Sequence, residues 1–102
     1  MSRADGDLDS LIAEITVDCY DDGEALTGFE CAFDEEVRFP IGGVVIGEEV
    51  SVRGVAQANC RRELIATCVR GGRTFAVAVL DVEIHDPAAA RLVAAYRRWL
   101  GP

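Results

Sequence analysis

Apolar residues recur with the period of an α-helix in the first part of the chain. Segment 7–17, DLDSLIAEITV, carries Leu8, Leu11, Ile12 and Ile15 at helical spacing. An aspartate at its start can cap a helix, whereas the β-branched end Ile-Thr-Val fits the beginning of a strand. The pattern therefore leaves a helix and a strand as competing predictions for this segment.

The next segment, 21–37, favours a helix. On a wheel of 100° per residue its large apolar side chains fall within about 80° of one another. These side chains are Leu26, Phe29, Phe33 and Val37. Gly23 and Gly28 weaken the helix, each by about 1 kcal/mol relative to alanine. Phe39-Pro40 ends it, because proline disfavours the helical conformation of the residue before it.

After Pro40 the pattern changes to short runs rich in valine and isoleucine. These runs are 43–46, 48–56, 62–70 and 73–84. Gly71-Gly72, between two arginines, predicts a two-residue hairpin turn. Short strands at this spacing predict a small antiparallel barrel or a strongly bent sheet.

Asp86-Pro87 supplies an N-cap and a first-turn proline for a last helix, which Gly101 ends. The core face of that helix is predicted to be Leu92, Tyr96, Trp99 and Leu100. Residues on other apolar faces are also assigned to the core, namely Tyr20, Phe29, Phe33, Phe39 and Pro40. The chain 1–102 is predicted to be a single α+β domain in which residues 1–6 form a flexible tail.

Charge divides the chain into two unlike halves. Residues 1–50 carry fourteen acids and two arginines, and residues 51–102 carry four acids and eight arginines, so the halves differ as −12 and +4. The arginine-rich half can fold back on the acidic half and neutralise it in part. A nucleic acid is disfavoured as a partner, because such binding draws its affinity from cationic neutralisation of phosphates.

Segment 18–36, DCYDDGEALTGFECAFDEE, contains eight carboxylates and no Lys, Arg or His. Solvent counter-ions, arginines from elsewhere such as Arg61 and Arg62, or a bound metal can offset the repulsion. Calcium suits such a cluster, since it takes about six to eight oxygen ligands in adaptable geometry. The chain has no EF-hand: the nearest match, from Asp5, has Ser10 where glycine is required and Thr16 where the bidentate glutamate belongs.

Other chemistry has little support in the residues. The four cysteines, at positions 19, 31, 60 and 68, form no CxxC pair, so they are predicted to be small buried or half-buried hydrophobic residues. His85 is the one imidazole and is predicted to be a solvated loop residue, and no nucleophile or phosphate-binding motif is present. With no apolar leader and no run approaching about 20 apolar residues, the protein is predicted to be non-enzymatic, cytoplasmic and without a membrane partner.

A series of motifs resembles the small prokaryotic calcium-binding family typified by CcbP. The series is ITVDCYDDGEALTGF, FDEEVRFP, the V-x-V-R-G-V strand, Arg61-Arg62 and a closing AYRRW. The likeness runs from about Ile15 to Trp99 and rests on the order and spacing of these motifs. It implies calcium binding without an EF-hand, and a small SH3/Sm-like β-barrel with an N-terminal helical segment and a C-terminal helix packed against it.

By position, the resemblance places acidic candidates for metal binding in two blocks. The first block is Asp18, Asp21 and Glu24, and the second is Asp34, Glu35 and Glu36. Asp22 and Glu30 are further candidates of this chain. We predict that these eight carboxylates act together in buffering or sensing Ca²⁺, with micromolar or weaker affinity.

Two other functions remain open. The first is a small-barrel protein-interaction module whose acidic face meets a basic protein partner through electrostatic steering. The second, less favoured, is a small hydrolase that uses carboxylates and a metal.

Overall fold

The computed structural model describes residues 3–17, 19–58 and 63–101, in which three helices flank a sheet. Helix α1 spans Arg3–Ile15, α2 spans Asp22–Glu36 and α3 spans Pro87–Leu100. The helical interpretation of segment 7–17 is therefore correct, and α1 begins inside the segment expected to be a tail. In this part of the chain no helix has both the length and the apolar character needed to cross a membrane.

Local signals set the ends of α2 and α3. Asp21 caps α2, and Asp86 caps α3 by accepting a hydrogen bond from the Ala89 N–H at 3.0 Å. Pro87 stands in the first turn of α3, and Gly101 ends that helix with a φ of 85°. The bounds of both helices agree with the sequence prediction to within one residue.

Five strands form one antiparallel sheet in the order β4-β3-β2-β1-β5. Their bounds are β1 Ile41–Val45, β2 Glu48–Gln57, β3 Leu64–Arg70, β4 Arg73–Ala78 and β5 Glu83–Ile84. Gly71-Gly72 form the predicted two-residue turn, with φ values of 56° and 79°. The α+β class and the antiparallel sheet are thus confirmed.

The described strands do not close into the predicted SH3/Sm-like barrel. The chain leaves β4 through a 3₁₀ turn, Val79–Asp81, and β5 then pairs with β1. The predicted strand 73–84 is therefore two strands, and they lie on opposite edges of the sheet. A barrel requires the two edge strands to pair with each other, so this sheet is open.

The hydrophobic core lies between the helices and one face of the sheet. Val52, Ala66 and Cys68 on the strands, with Phe29 and Phe33 on α2, have no exposed surface. Contacts of this kind come from alternate strand residues and from one stripe of each helix, as the sequence periodicity predicts.

Three residues assigned to the core by sequence lie at the surface instead. Tyr20 is 90% exposed because it lies in the turn before α2, outside the apolar stripe of that helix. Leu100 is 45% exposed at the last turn of α3, and Pro40 is exposed in the connection to β1. The core assignments of Phe29 and Phe33 are correct, and Phe39 and Trp99 are half-buried.

An aromatic cluster joins α2 to α3. The ring centroid of Phe29 lies 5.6 Å from that of Tyr96 and 5.4 Å from that of Trp99. The buried Tyr96 hydroxyl also accepts a hydrogen bond from the Leu64 N–H at 3.1 Å, which ties α3 to the start of β3. Burial raises the pKa of the Tyr96 phenol above its ordinary value.

Gly28 permits α1 and α2 to approach each other. A Cβ atom at this position would lie 2.6 Å from the carbonyl oxygen of Ile15, at the end of α1. The residue that weakens α2 as an isolated helix is therefore the residue that allows it to pack.

Candidate metal centre

Two of the predicted ligands, Asp21 and Glu24, form a reciprocal cap at the N-terminus of α2. The Asp21 Oδ1 accepts a hydrogen bond from the Glu24 N–H at 2.8 Å, and the Glu24 Oε2 accepts one from the Tyr20 N–H at 2.9 Å. The arrangement resembles a capping box, except that Glu24 accepts from the residue before the N-cap, and it satisfies two backbone donors beside the start of the helix. Both carboxylates thus have a structural role that does not require a metal.

Glu30 fastens the middle of α2 to the end of β2. Its Oε2 accepts a hydrogen bond from the Gln57 N–H at 2.8 Å, and the Gln57 Nε2 donates to the Thr27 hydroxyl at 2.8 Å. The half-buried Glu30 carboxylate therefore provides an acceptor for the last backbone N–H of β2.

Asp34, Glu35 and Glu36 form the last turn of α2, and all three are exposed. That turn contains no basic residue, although the C-terminus of a helix carries a partial negative charge and favours cations. Among the described residues, no ion pair involves any of these three acids. Charge at this end of α2 is consequently uncompensated within the described part of the fold.

Glu14 of α1 lies in a shallow groove between α1 and α2, beside the acidic last turn of α2. Glu14, Glu35 and Glu36 line it together with Cys31, and Gly28 lies at the close contact of the two helices. Sequence reasoning missed Glu14 because it lies outside the acidic segment. The sequence did contain a signal, because Glu14 stands three residues after Leu11 and directly before Ile15, beside the apolar face by which α1 packs.

The described members of the predicted ligand set are spread along α2. Glu24 and Asp34 are ten residues apart on this helix, which places them about 15 Å apart along its axis. No group of three or more His, Cys, Asp or Glu side chains in residues 3–17, 19–58 and 63–101 is arranged to hold a metal ion. Asp18 lies outside the described residues, and the structure does not describe the Asp22 side chain.

The described arginines that form ion pairs do so with other acids. Arg70 pairs with Glu48, and the Arg98 Nε donates to the Asp9 Oδ1 at 2.6 Å. The hydrogen bond from Arg98 lowers the pKa of the Asp9 carboxyl. Arg61 and Arg62, the competing partners for the acidic segment, lie outside the described residues.

The remaining candidate groups show no metal-binding arrangement within the described residues. Cys68 is buried and Cys19 half-buried, as predicted, but Cys31 is exposed, and Cys60 lies outside the described residues. Burial raises the pKa of the Cys68 thiol. His85 is exposed, as predicted, with its Nε2 3.8 Å from the Glu83 Oε1.

Comparison with known proteins gives a family match and two structural likenesses. The family model Calci_bind_CcbP, described as "Calcium binding", matches residues 9–100. The crystal structure of Anabaena CcbP has a TM-score of 0.71 and 22% identity, covering 86% of this chain and 83% of that chain. A calcium binding protein in the calcium-binding form has a TM-score of 0.74 and 19% identity, covering 98% of this chain and 95% of that chain. No curated protein matches the chain.

Proposed function

The chain belongs to the CcbP family of calcium-binding proteins, and on that premise we propose that it binds Ca²⁺ at the acidic C-terminal end of α2. The observation that carries this proposal is the last turn of α2, with three consecutive exposed acids and no basic residue. The family is a calcium-binding one and is not a class of enzymes.

Electrostatics favour this end of the helix for a cation. The final carbonyl groups of an α-helix lack intrahelical donors and form the negative pole of its dipole. Carboxylates at this end are repelled by the negative pole and by one another, and a bound divalent cation would offset that electrostatic repulsion. The three carboxylates supply only oxygen donors, which suits calcium; the exposed Cys31 thiol also lines the groove but is not part of the proposed ligand set.

The groove between α1 and α2 supplies ligands from two elements. Glu14 from α1, with Glu35 and Glu36 from α2, offers up to six carboxylate oxygens, near the number that calcium takes. Their exposed side chains must reorient to reach one ion, because the described residues contain no preformed metal group. We therefore expect micromolar or weaker affinity.

The other acids of the predicted set take different roles in this proposal. Asp21 and Glu24 hold the cap, Glu30 holds β2, and Asp34 adds negative charge beside the ligands. Asp22, the first residue of α2, and Asp18, which lies outside the described residues, stay candidates for a separate second calcium locus.

Buffering and sensing differ in what calcium does to the fold. An ion held between Glu14 and the end of α2 would clamp α1 against α2, and Trp99 packs on α2 through Phe29. In a sensor, calcium changes the Trp99 fluorescence and the amide spectrum beyond the groove. In a buffer, changes are confined to residues that line the groove.

Calorimetric titration of chelator-treated protein with Ca²⁺, repeated with Mg²⁺, tests the proposal. Glu36→Gln and Glu14→Gln should each lower calcium affinity about ten-fold, or about 1.4 kcal/mol. Asp7→Asn, an exposed acid on α1 away from the groove, is the matched control and should change affinity little. Magnesium should bind more weakly, because it requires tight octahedral geometry.

Two results would contradict this assignment. If Glu24→Gln lowers affinity and Glu36→Gln does not, calcium binds at the N-terminal end of α2. If neither ion binds, the acidic surface is better explained as a docking face for a basic protein partner.

A further inference from the structure

The turn between β1 and β2 contains an isoleucine in a disfavoured conformation. Ile46 and Gly47 connect the paired residues Val45 and Glu48, with φ values of 50° and 77°. Positive φ at both turn positions is the type I′ geometry, which asparagine and glycine adopt most readily. For a β-branched residue this region is strained, because the Cβ crowds the backbone carbonyl.

Burial in the folded chain does not offset this strain. The Ile46 side chain is 97% exposed, so its methyl groups stay in water. Asparagine or glycine would form the same turn without strain and without an exposed apolar side chain. Strain and exposure at one residue point to a contact outside the monomer.

A groove of complementary character lies between α1 and α3. Leu8 and Ala94 provide an apolar surface, Arg97 and Arg98 lie beside it, and its volume is about 400 Å³. Arg98 already pairs with a carboxylate of α1, whereas the exposed Arg97 has a long hydrogen bond of 3.5 Å to the Leu80 carbonyl. The groove is thus apolar at its floor and basic at its rim.

The hairpin tip has the opposite charge. Glu48 and Glu49 follow the turn directly, and both are exposed. Glu48 pairs with Arg70, whereas Glu49 has no ion-pair partner among the residues that the structure describes. An apolar tip with an unpaired carboxylate fits an apolar groove with an arginine rim.

We propose that Ile46 of one copy inserts into the α1–α3 groove of a second copy, with Glu49 facing Arg97. The two surfaces differ, so the contact is heterologous and joins copies head to tail, into a ring or an open chain. It uses neither Glu14 nor the end of α2, and therefore does not depend on the calcium proposal.

Sedimentation velocity of the full chain over a wide concentration range, in chelator, tests this contact. Wild type should associate beyond a dimer as concentration rises. Ile46→Asn should weaken association at least about ten-fold, because it removes the buried apolar group, and should raise the melting temperature by relieving strain. Val17→Asn is the matched control, since Val17 is another exposed apolar residue (64%), and it should leave association unchanged.

Charge reversal provides a second, independent readout. Glu49→Arg or Arg97→Glu alone should weaken association, and the two together in one chain should restore it, because each contact uses one residue from each copy. The proposal is overturned if wild type stays monomeric at every concentration, or if Ile46→Asn associates like wild type. A double variant no better than either single variant also overturns it.

Discussion

Substitution of Glu30 tests whether this carboxylate has a structural role or is a calcium ligand, because it has a defined hydrogen-bond partner in the fold. Its Oε2 accepts the Gln57 N–H at 2.8 Å in a half-buried position. Glu30→Ala leaves that donor without its acceptor, while Glu30→Gln keeps an oxygen that can accept the same bond. The two substitutions therefore separate the hydrogen bond from the charge.

The magnitude follows from the type of bond. Hydrogen bonds to charged groups contribute about 1.5–3 kcal/mol when buried, and partial exposure of Glu30 places the expected loss for Glu30→Ala near 1–2 kcal/mol. For a domain of this size each kcal/mol lowers the melting temperature by about 4–8 °C. Glu30→Gln should cost less than about 1 kcal/mol, since the amide oxygen is a weaker acceptor than the carboxylate.

Urea denaturation in chelator measures the stability change, and calorimetry measures calcium affinity for the same variants. We expect both Glu30 variants to bind calcium like wild type. Glu35→Ala, on the same helix but exposed, is the control, and it should change stability by less than about 0.5 kcal/mol while lowering calcium affinity. A ten-fold affinity loss in Glu30→Gln with unchanged stability would refute the structural role and make Glu30 a ligand.

Gly28→Ala should destabilise the fold by about 1–3 kcal/mol despite better helix propensity, because its Cβ would lie 2.6 Å from the Ile15 carbonyl oxygen. In urea denaturation, Gly23→Ala is the milder comparison, because its nearest contact is a side-chain oxygen, the Asp21 Oδ1 at 3.3 Å. Tyr96→Phe leaves the buried Leu64 N–H without its acceptor and should cost about 1–2 kcal/mol at neutral pH. Burial raises the pKa of Tyr96 above its ordinary value of about 10, so the unfolded chain ionises first and stability falls as pH rises beyond about 10. Denaturation across that range should show a smaller loss in Tyr96→Phe than in wild type, because the buried Cys68 thiol contributes the same loss in both. Calcium should raise the melting temperature more than sodium chloride of matched ionic strength, and equal shifts would reduce the effect to screening.

Local signals were sufficient for the bounds of α2 and α3 and for the β3–β4 turn. Asp21 and Asp86 cap the helices that follow them, and Gly71-Gly72 turns the hairpin, because each of these preferences depends on a few neighbouring residues. The apolar stripe of α2 also predicted the burial of Phe29 and Phe33, since helical geometry alone places them on one face.

Only the tertiary structure decided how the strands pair and where the described acids lie. Whether the sheet closes depends on the path of the chain after Ala78. The 3₁₀ turn there leads to β5, which pairs with β1. This is a long-range pairing that the composition of the strands does not encode. The described acids of the predicted set are likewise separated because a continuous helix keeps Glu24 and Asp34 about 15 Å apart, however acidic the intervening segment is. Glu14 joins the acids at the C-terminal end of α2 through the packing of α1 on α2, and that approach depends on the absence of a side chain at Gly28.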